Sequence, residues 1–220
     1  MSNLNFLHSG GNKVTLSAPA SNPSSDITFK LPQSDGSAGQ VLQTDGNGNL
    51  TFVNQPTSGI TMADSWRLTT NITSTTEAFI TSNWVRNLTN AQSGGYFHMG
   101  AIGSAMTESS GAFSFPSTGV YLVRFYCTAD TNNSSNKFFE ANIQATRDNF
   151  SSTQMFARGY GNMYNSTSNT YVTAISEGMF DVTDTSTHKV KFQYSAGNNV
   201  TIRGISYNLT YVTFIRLGDT

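Results

Sequence analysis

The chain has 220 residues, with 12 lysines and arginines against 13 aspartates and glutamates, a net charge of −1, and charged side chains at only 11% of positions. That balance supplies no long-range field to gather nucleic acid or an anionic membrane, so the sequence argues against both as partners. The length suits one large all-β domain, or one domain plus a substantial appendage, and a surface kept soluble by Ser, Thr, Asn and Gly rather than by ions suits assembly.

Met1 to His8 lack the basic start, apolar stretch and small-residue cleavage site of a secretory signal, and no later run is long enough to span a bilayer. The expectation is a chain made in a cytoplasm that stays soluble, without membrane insertion. From Ser2 to about Ser58, short apolar words at 13–16, 27–31, 40–43 and 50–53 alternate with Gly, Pro, Asn and Asp. Each word has strand length and none has helical period. Between the last two, Thr44-Asp45-Gly46-Asn47-Gly48-Asn49 supplies the positive backbone angles of a hairpin loop. Strands so short and so poor in apolar side chains cannot fold alone. Their cover is the same segment of neighbouring subunits or a docking surface on another protein; the alternative is a disordered tail. Residues 1–58 are therefore read as an attachment and assembly arm carrying a β-hairpin.

Gln55-Pro56-Thr57-Ser58-Gly59 has linker composition, and past it the words grow longer and more aromatic. Residues 59–220 form the second predicted domain, with strands over 66–70, 78–85, 95–101, 111–115, 120–129, 137–145, 154–158, 170–180, 189–195, 200–204 and 208–217. Strands separated by polar turns over this length predict a sandwich with jelly-roll or Greek-key winding. In Tyr121-Leu122-Val123-Arg124-Phe125-Tyr126-Cys127 both faces are largely apolar. In 208–217 one face reads Leu209, Tyr211, Thr213, Ile215, Leu217, and the other still carries Val212 and Phe214. A sandwich strand needs one apolar face, so the surplus predicts a subunit interface, with Tyr121, Val123, Phe125, Tyr211, Phe214 and Ile215 as its candidate residues.

Chemistry is sparse. The lone Cys127 rules out an intrachain disulfide framework and reads as a buried small hydrophobe. His8, His98 and His188 are far apart, none in metal-ligand spacing. Asp130, Asp148, Asp181 and Asp184 sit at strand ends as turn formers, without the repeated spacing of a calcium loop. Glu77, Glu108, Glu140 and Glu177 are isolated, no Gly-x-Ser-x-Gly elbow is present, and neither catalysis nor a cofactor is expected. Asn71, Asn87, Asn149, Asn165 and Asn208 begin glycosylation triplets of the kind that chance supplies in so Asn- and Ser-rich a chain. One surface segment, 158–169, mixes Tyr, Asn, Ser and Gly, which combine rigid contact area with adaptable hydrogen bonds. Arg158, Tyr160, Asn162 and Tyr164 are its candidate ligand residues and a cell-surface glycan the candidate ligand; the competing reading is a solvated hairpin loop.

Gly111-Ala112-Phe113-Ser114-Phe115-Pro116-Ser117-Thr118-Gly119-Val120-Tyr121-Leu122-Val123 resembles the signature of the complement first-component globular head and its tumour-necrosis-factor-like relatives. Pro116 ends one strand and Gly119 supplies the turn before the next. The closing strand, Tyr211-Val212-Thr213-Phe214-Ile215-Arg216-Leu217, is similar to the final core strand of that family. The resemblance, over about 63–219, implies a ten-stranded jelly roll and a tight homotrimer with aromatic side chains around the three-fold axis. A collagen-like stalk is missing, and Thr213 stands where the family often has Gly. A second resemblance lies in Ile27-Thr28-Phe29-Lys30-Leu31-Pro32 and in the run from Asp35 to Phe52, which is similar to a leader of bacteriophage tail-fibre and other virion proteins.

Together the two resemblances imply an all-β chain, a short N-terminal hairpin arm followed by a homotrimeric jelly roll. They also imply a non-enzymatic structural component of a tailed-phage virion, made in the host cytoplasm and placed on the virion surface. It would be a fibre tip that binds a host receptor or a capsid decoration protein, joined to other virion proteins through its arm. The alternative is a soluble trimeric lectin or cytokine-like ligand that is not virion-bound.

Overall fold

Side-chain alternation with a period of two governs the whole molecule. A computed structural model describes all residues except 1–3, 18, 56–58, 88–91, 94–95, 98–99, 132–135, 164–167 and 206–207, and every regular element among the described residues is a β-strand. The chain divides into two units, Met1–Thr57 and Ser58–Thr220.

The first unit holds two antiparallel hairpins: β1 (Leu4–Leu7) with β2 (Lys13–Leu16), and β3 (Gln40–Thr44) with β4 (Leu50–Asn54). The second closes as its residues dictate. Gly46 and Gly48 take positive φ, and Asp45 Oδ1 accepts from the backbone N–H of Asn47 and Asn49. In the first hairpin the register pairs Leu4 with Leu16 and Phe6 with Val14, so all four lie on one face, and all four are exposed.

In the second unit the strands are β5 (Ala63–Leu68), β6 (Ile72–Ser74), β7 (Ala78–Phe79), β8 (Trp84–Arg86), β9 (Gln92–Ser93), β10 (Tyr96–Phe97), β11 (Thr107–Ser109) and β12 (Ala112–Ser114). They continue as β13 (Gly119–Asp130), β14 (Phe139–Thr146), β15 (Gln154–Gly161), β16 (Tyr171–Val182), β17 (Lys189–Ala196), β18 (Val200–Ile202) and β19 (Tyr211–Gly218). One sheet runs β11-β12-β17-β14-β15, with β7 also paired to β17. The other runs β6-β18-β13-β19-β5-β8, with β16 paired along β13. Along its long strands the chain passes between the sheets at β12–β13, β13–β14, β15–β16, β16–β17 and β17–β18, which is jelly-roll winding. The sheets hold six and seven strands, more than the ten-stranded expectation. One cause is visible at the predicted strand 78–85, which splits into β7 and β8 where Asn83 adopts φ 65°.

Between the sheets lies an aromatic core centred on Phe113. Its ring meets Trp66 at 5.5 Å, Trp84 at 5.7 Å, Phe192 at 5.3 Å and Phe214 at 5.4 Å, mostly edge to face. Tyr121 is buried whole, and its hydroxyl donates to the Ser117 carbonyl at 2.9 Å, so burial leaves no polar atom unpaired there. Pro116 and Gly119 play the parts expected of them: Gly119 has φ 138°, and a Cβ there would meet the Gly218 carbonyl at 2.5 Å. At the open edge, β15 and β16 approach so closely that a Cβ on Gly159 would lie 1.8 Å from the Ile175 carbonyl oxygen.

Asp64 is the polar anchor of this core. Oδ1 takes the Arg86 Nε–H at 2.8 Å and the Ser65 N–H; Oδ2 takes the Trp66 indole N–H and the Met106 N–H. Asp64→Ala strands four donors, one of them charged, and we expect a loss of about 3 kcal/mol in urea unfolding. A loss under about 1 kcal/mol would mean that water replaces the carboxylate at no cost.

Candidate functional site

Four of the six predicted interface residues face inward. Tyr121, Val123, Phe125 and Phe214 are fully buried within the single chain, between its two sheets, and the expectation of an interface there is corrected to core. The reason is alternation: Val123 pairs with Phe214, so the aromatic face of β13 and the Val212–Phe214 face of β19 are one face, and it meets the opposite sheet. Tyr211 and Ile215 face outward, and beside them on that face stand Leu122 and Tyr126 on β13 and Ile175 and Met179 on β16, which the sequence reading did not name.

The outward face of this sheet is ordered in rows by register. Met179, Leu122, Ile215 and Ala63 cross β16, β13, β19 and β5 as one apolar row. Ile175, Tyr126, Tyr211 and Arg67 form a second row, in which the two tyrosine rings stack at 4.4 Å with 9° between their planes. Burial, reinforced by Tyr126, raises the Tyr211 phenol pKa above its ordinary value. Between the rows, Arg124 Nε donates to Glu177 Oε2 at 2.7 Å. Met179 is 68% and Ile175 48% exposed, which leaves an apolar sheet face open in the single chain.

The predicted ligand segment divides differently. Arg158 and Tyr160 belong to β15 rather than to a loop, and they project from the outer face of the opposite sheet, where Arg158 donates to the Tyr160 hydroxyl at 3.2 Å. Asn162 follows the strand and is exposed; Tyr164 lies outside the described residues, as does His98. The fold adds residues that are remote in sequence: Glu140 and Asn142 on β14, Gln193 on β17, and Glu77 before β7. Asn142 stands opposite Arg158 on one side and Gln193 on the other, and Glu140 opposite Tyr160. Hydrogen bonding by Tyr160, then the field of Glu140, raises the Arg158 pKa.

Cys127 is buried in the core, and burial pushes its thiol pKa far above the ordinary value, against a small opposing hydrogen bond with Thr210. We expect no alkylation by iodoacetamide at pH 8 in the folded protein and full alkylation in urea, read by mass spectrometry; native-state labelling would contradict this burial. Asn87, head of one glycosylation triplet, is also buried. His188 packs against Phe180 with its ring nitrogens near Thr183 and Thr187 hydroxyls. Among the described residues no three His, Cys, Asp or Glu side chains gather as a metal site.

No family model matches the sequence, and no curated protein does. Solved structures do match the fold. Eiger TNF from S. frugiperda superposes with a TM-score of 0.52 at 12% identity, over 74% of this chain and 96% of that one. Murine APRIL at pH 8.5 gives 0.48 at 9% identity, over 71% of this chain and 98% of that one, and APRIL at pH 5.0 gives 0.48 at 11%.

The match to Eiger TNF corrects the virion reading. The fold resembles that of a tumour necrosis factor, and neither a family model nor a curated protein matches the N-terminal words as a tail-fibre leader. The roles of fibre tip and capsid decoration, the virion partners and the virion-surface location fall with it. The physical reason is plain in β3 and β4: Asp-Gly and Asn-Gly between short apolar words are what any tight hairpin requires, so they carry turn chemistry and no context. What the second unit does carry is an all-β jelly-roll sandwich of tumour-necrosis-factor-like fold, with no metal-ligand cluster among its described residues.

Proposed function

We propose that the protein is a non-enzymatic, homotrimeric recognition protein of the soluble ligand or lectin kind, assembled through the outer face of the β16-β13-β19-β5 sheet. The observation that carries this reading is the pair of apolar rows, Met179-Leu122-Ile215 and Ile175-Tyr126-Tyr211, left open on a sheet whose other face is already filled. A second copy of the chain is the occupant it suits. The Arg124–Glu177 pair between the rows is neutralised within the chain, so a second copy meets no net charge there. The number three follows from the resemblance of 111–123 to complement-head and tumour-necrosis-factor-like domains. The arm of residues 1–58, with its exposed Leu4, Phe6, Val14 and Leu16, remains an assembly element in this reading, gathered by the trimer it precedes. Recognition we place on the opposite sheet, around Arg158 and Tyr160, which a trimer built through the first sheet leaves open.

Methionine oxidation tests the face. In the single chain Met179 is 68% exposed and Met155, on the other sheet, 40%. Assembly reverses that order: brief peroxide treatment of the full chain oxidises Met155 faster than Met179, as read by peptide mass spectrometry. Faster oxidation of Met179, the order the lone chain dictates, would contradict assembly through this face.

A further inference from the structure

We propose that Arg67, at the β5 end of the outward row Ile175-Tyr126-Tyr211, is the seat of a bound halide ion, chloride or bromide, held by its guanidinium beside the Asn87 and Asn208 amides. The ion is independent of the reading as a recognition protein and of the number of copies that assemble.

Arginines of the second unit are mostly paired. Arg86 meets Asp64, Arg124 meets Glu177, Arg158 meets Glu140, Arg203 meets Asp130 and Arg216 meets Asp219. Among the described residues Arg147 and Arg67 have no such carboxylate. Arg147 is exposed, so water serves it; Arg67 is only 9% exposed. Its Nη1 donates to Asn87 Oδ1 at 3.0 Å, and its Nε is buried with no hydrogen-bond partner. Nη2 makes no hydrogen bond among the described residues either, and it is not enclosed as Nε is. Burial lowers the Arg67 pKa, and no acid nearby opposes that shift. The undescribed residues contain no Asp or Glu, so the chain supplies this cation with no counter-charge of its own. A buried charge left unpaired is costly, and an anion that reaches it recovers the loss.

The donors select the class of anion. Carboxylates and phosphates are gripped by two parallel N–H groups along one edge of a guanidinium. Here the Nε edge is closed and Nη1 is engaged, which leaves a seat for a single-atom acceptor. Asn87 is fully buried and donates through Nδ2 to Ser65 Oγ and to Asn208 Oδ1, each at 3.2 Å. Those bonds turn its carbonyl toward Arg67 and leave Nδ2 of the half-buried Asn208 as a second donor. Val85 and Tyr211 stand opposite Arg67 on its two neighbouring strands. Their apolar surface favours an ion that gives up its water readily, as chloride and bromide do more than phosphate.

Thermal unfolding of the full chain, with gluconate exchanged for chloride at constant ionic strength and one protein concentration, tests this. We expect the midpoint to rise by roughly 3–5 °C for each tenfold in chloride once the ion exceeds its dissociation constant. Bromide is expected to act alike, and phosphate and acetate to do less. Arg67→Gln, whose amide can still donate to Asn87 Oδ1, loses the dependence, while Arg147→Gln keeps it. A midpoint indifferent to chloride, a larger rise with phosphate or acetate, a slope retained in Arg67→Gln, or one lost equally in Arg147→Gln would each overturn the proposal. If Arg67→Gln does not fold, the order of anions on the unaltered chain decides alone.

Discussion

Leu122→Lys combined with Ile215→Lys dissociates the assembled protein into single chains and leaves the head folded. Leu122 and Ile215 are cross-strand neighbours in the apolar row, both outward and both only half-buried, so the single chain holds lysines there with their ammonium groups in water. In an assembly the same groups are buried and unpaired, copy against copy. Each uncompensated ammonium costs several kcal/mol, roughly the worth of the central contacts it replaces. The nearest acid, Glu177, is already engaged by Arg124. Light scattering is expected to give about one third of the parent mass, with an unchanged far-ultraviolet spectrum. An unchanged mass would move the interface to another surface.

Phe113→Ala is expected to remove about 3–5 kcal/mol from the unfolding free energy of the head, the range for deleting a buried phenyl ring. Phe113 is fully buried, and its ring touches Trp66, Trp84, Phe192 and Phe214, which come from both sheets. Four close-packed aromatic neighbours cannot collapse far into the vacated space, so the cavity persists and the cost sits at the upper end. Phe79→Ala, at a partly exposed ring on the outer face, is the comparison, with an expected loss under about 1 kcal/mol. Both are measured by urea unfolding at one protein concentration, since assembly makes stability depend on concentration. Equal losses in the two variants would mean that the aromatic cluster does not organise the core.

The strand content of the head was legible because alternation and turn chemistry are local. The long strands β13, β14, β16, β17 and β19 fall where apolar words stood, within a few residues at their ends. Three-residue β6 and β11 were missed, since no period is visible in so short a run. Which face of β13 turns inward was not legible: Tyr121, Val123 and Phe125 compete with Leu122, Arg124 and Tyr126, and the choice is made by the opposite sheet, which the strand's own sequence does not contain. The same holds for the outer face of the β14 sheet. Arg158 and Tyr160 were readable as a Tyr-rich segment, but Glu140, Asn142 and Gln193 join them only through the pairing of β14 with β15 and β17. Asn142 gives no signal of its own in sequence, because an orphaned carbonyl exists only once its neighbours are placed. Context was the least legible of all: the N-terminal words spelled a hairpin, and the virion reading added to them something their chemistry did not hold.

The central claim is that the open face of the β13 sheet is closed by like copies of the chain, and the most direct measurement is the solution mass of the full chain by light scattering across a range of concentrations. The account predicts a mass about three times the 23.8 kDa of the single chain, constant down to the lowest concentration measured. A constant mass of one chain would contradict it, leaving Met179, Ile175, Leu122 and Ile215 as an apolar surface without the partner proposed here.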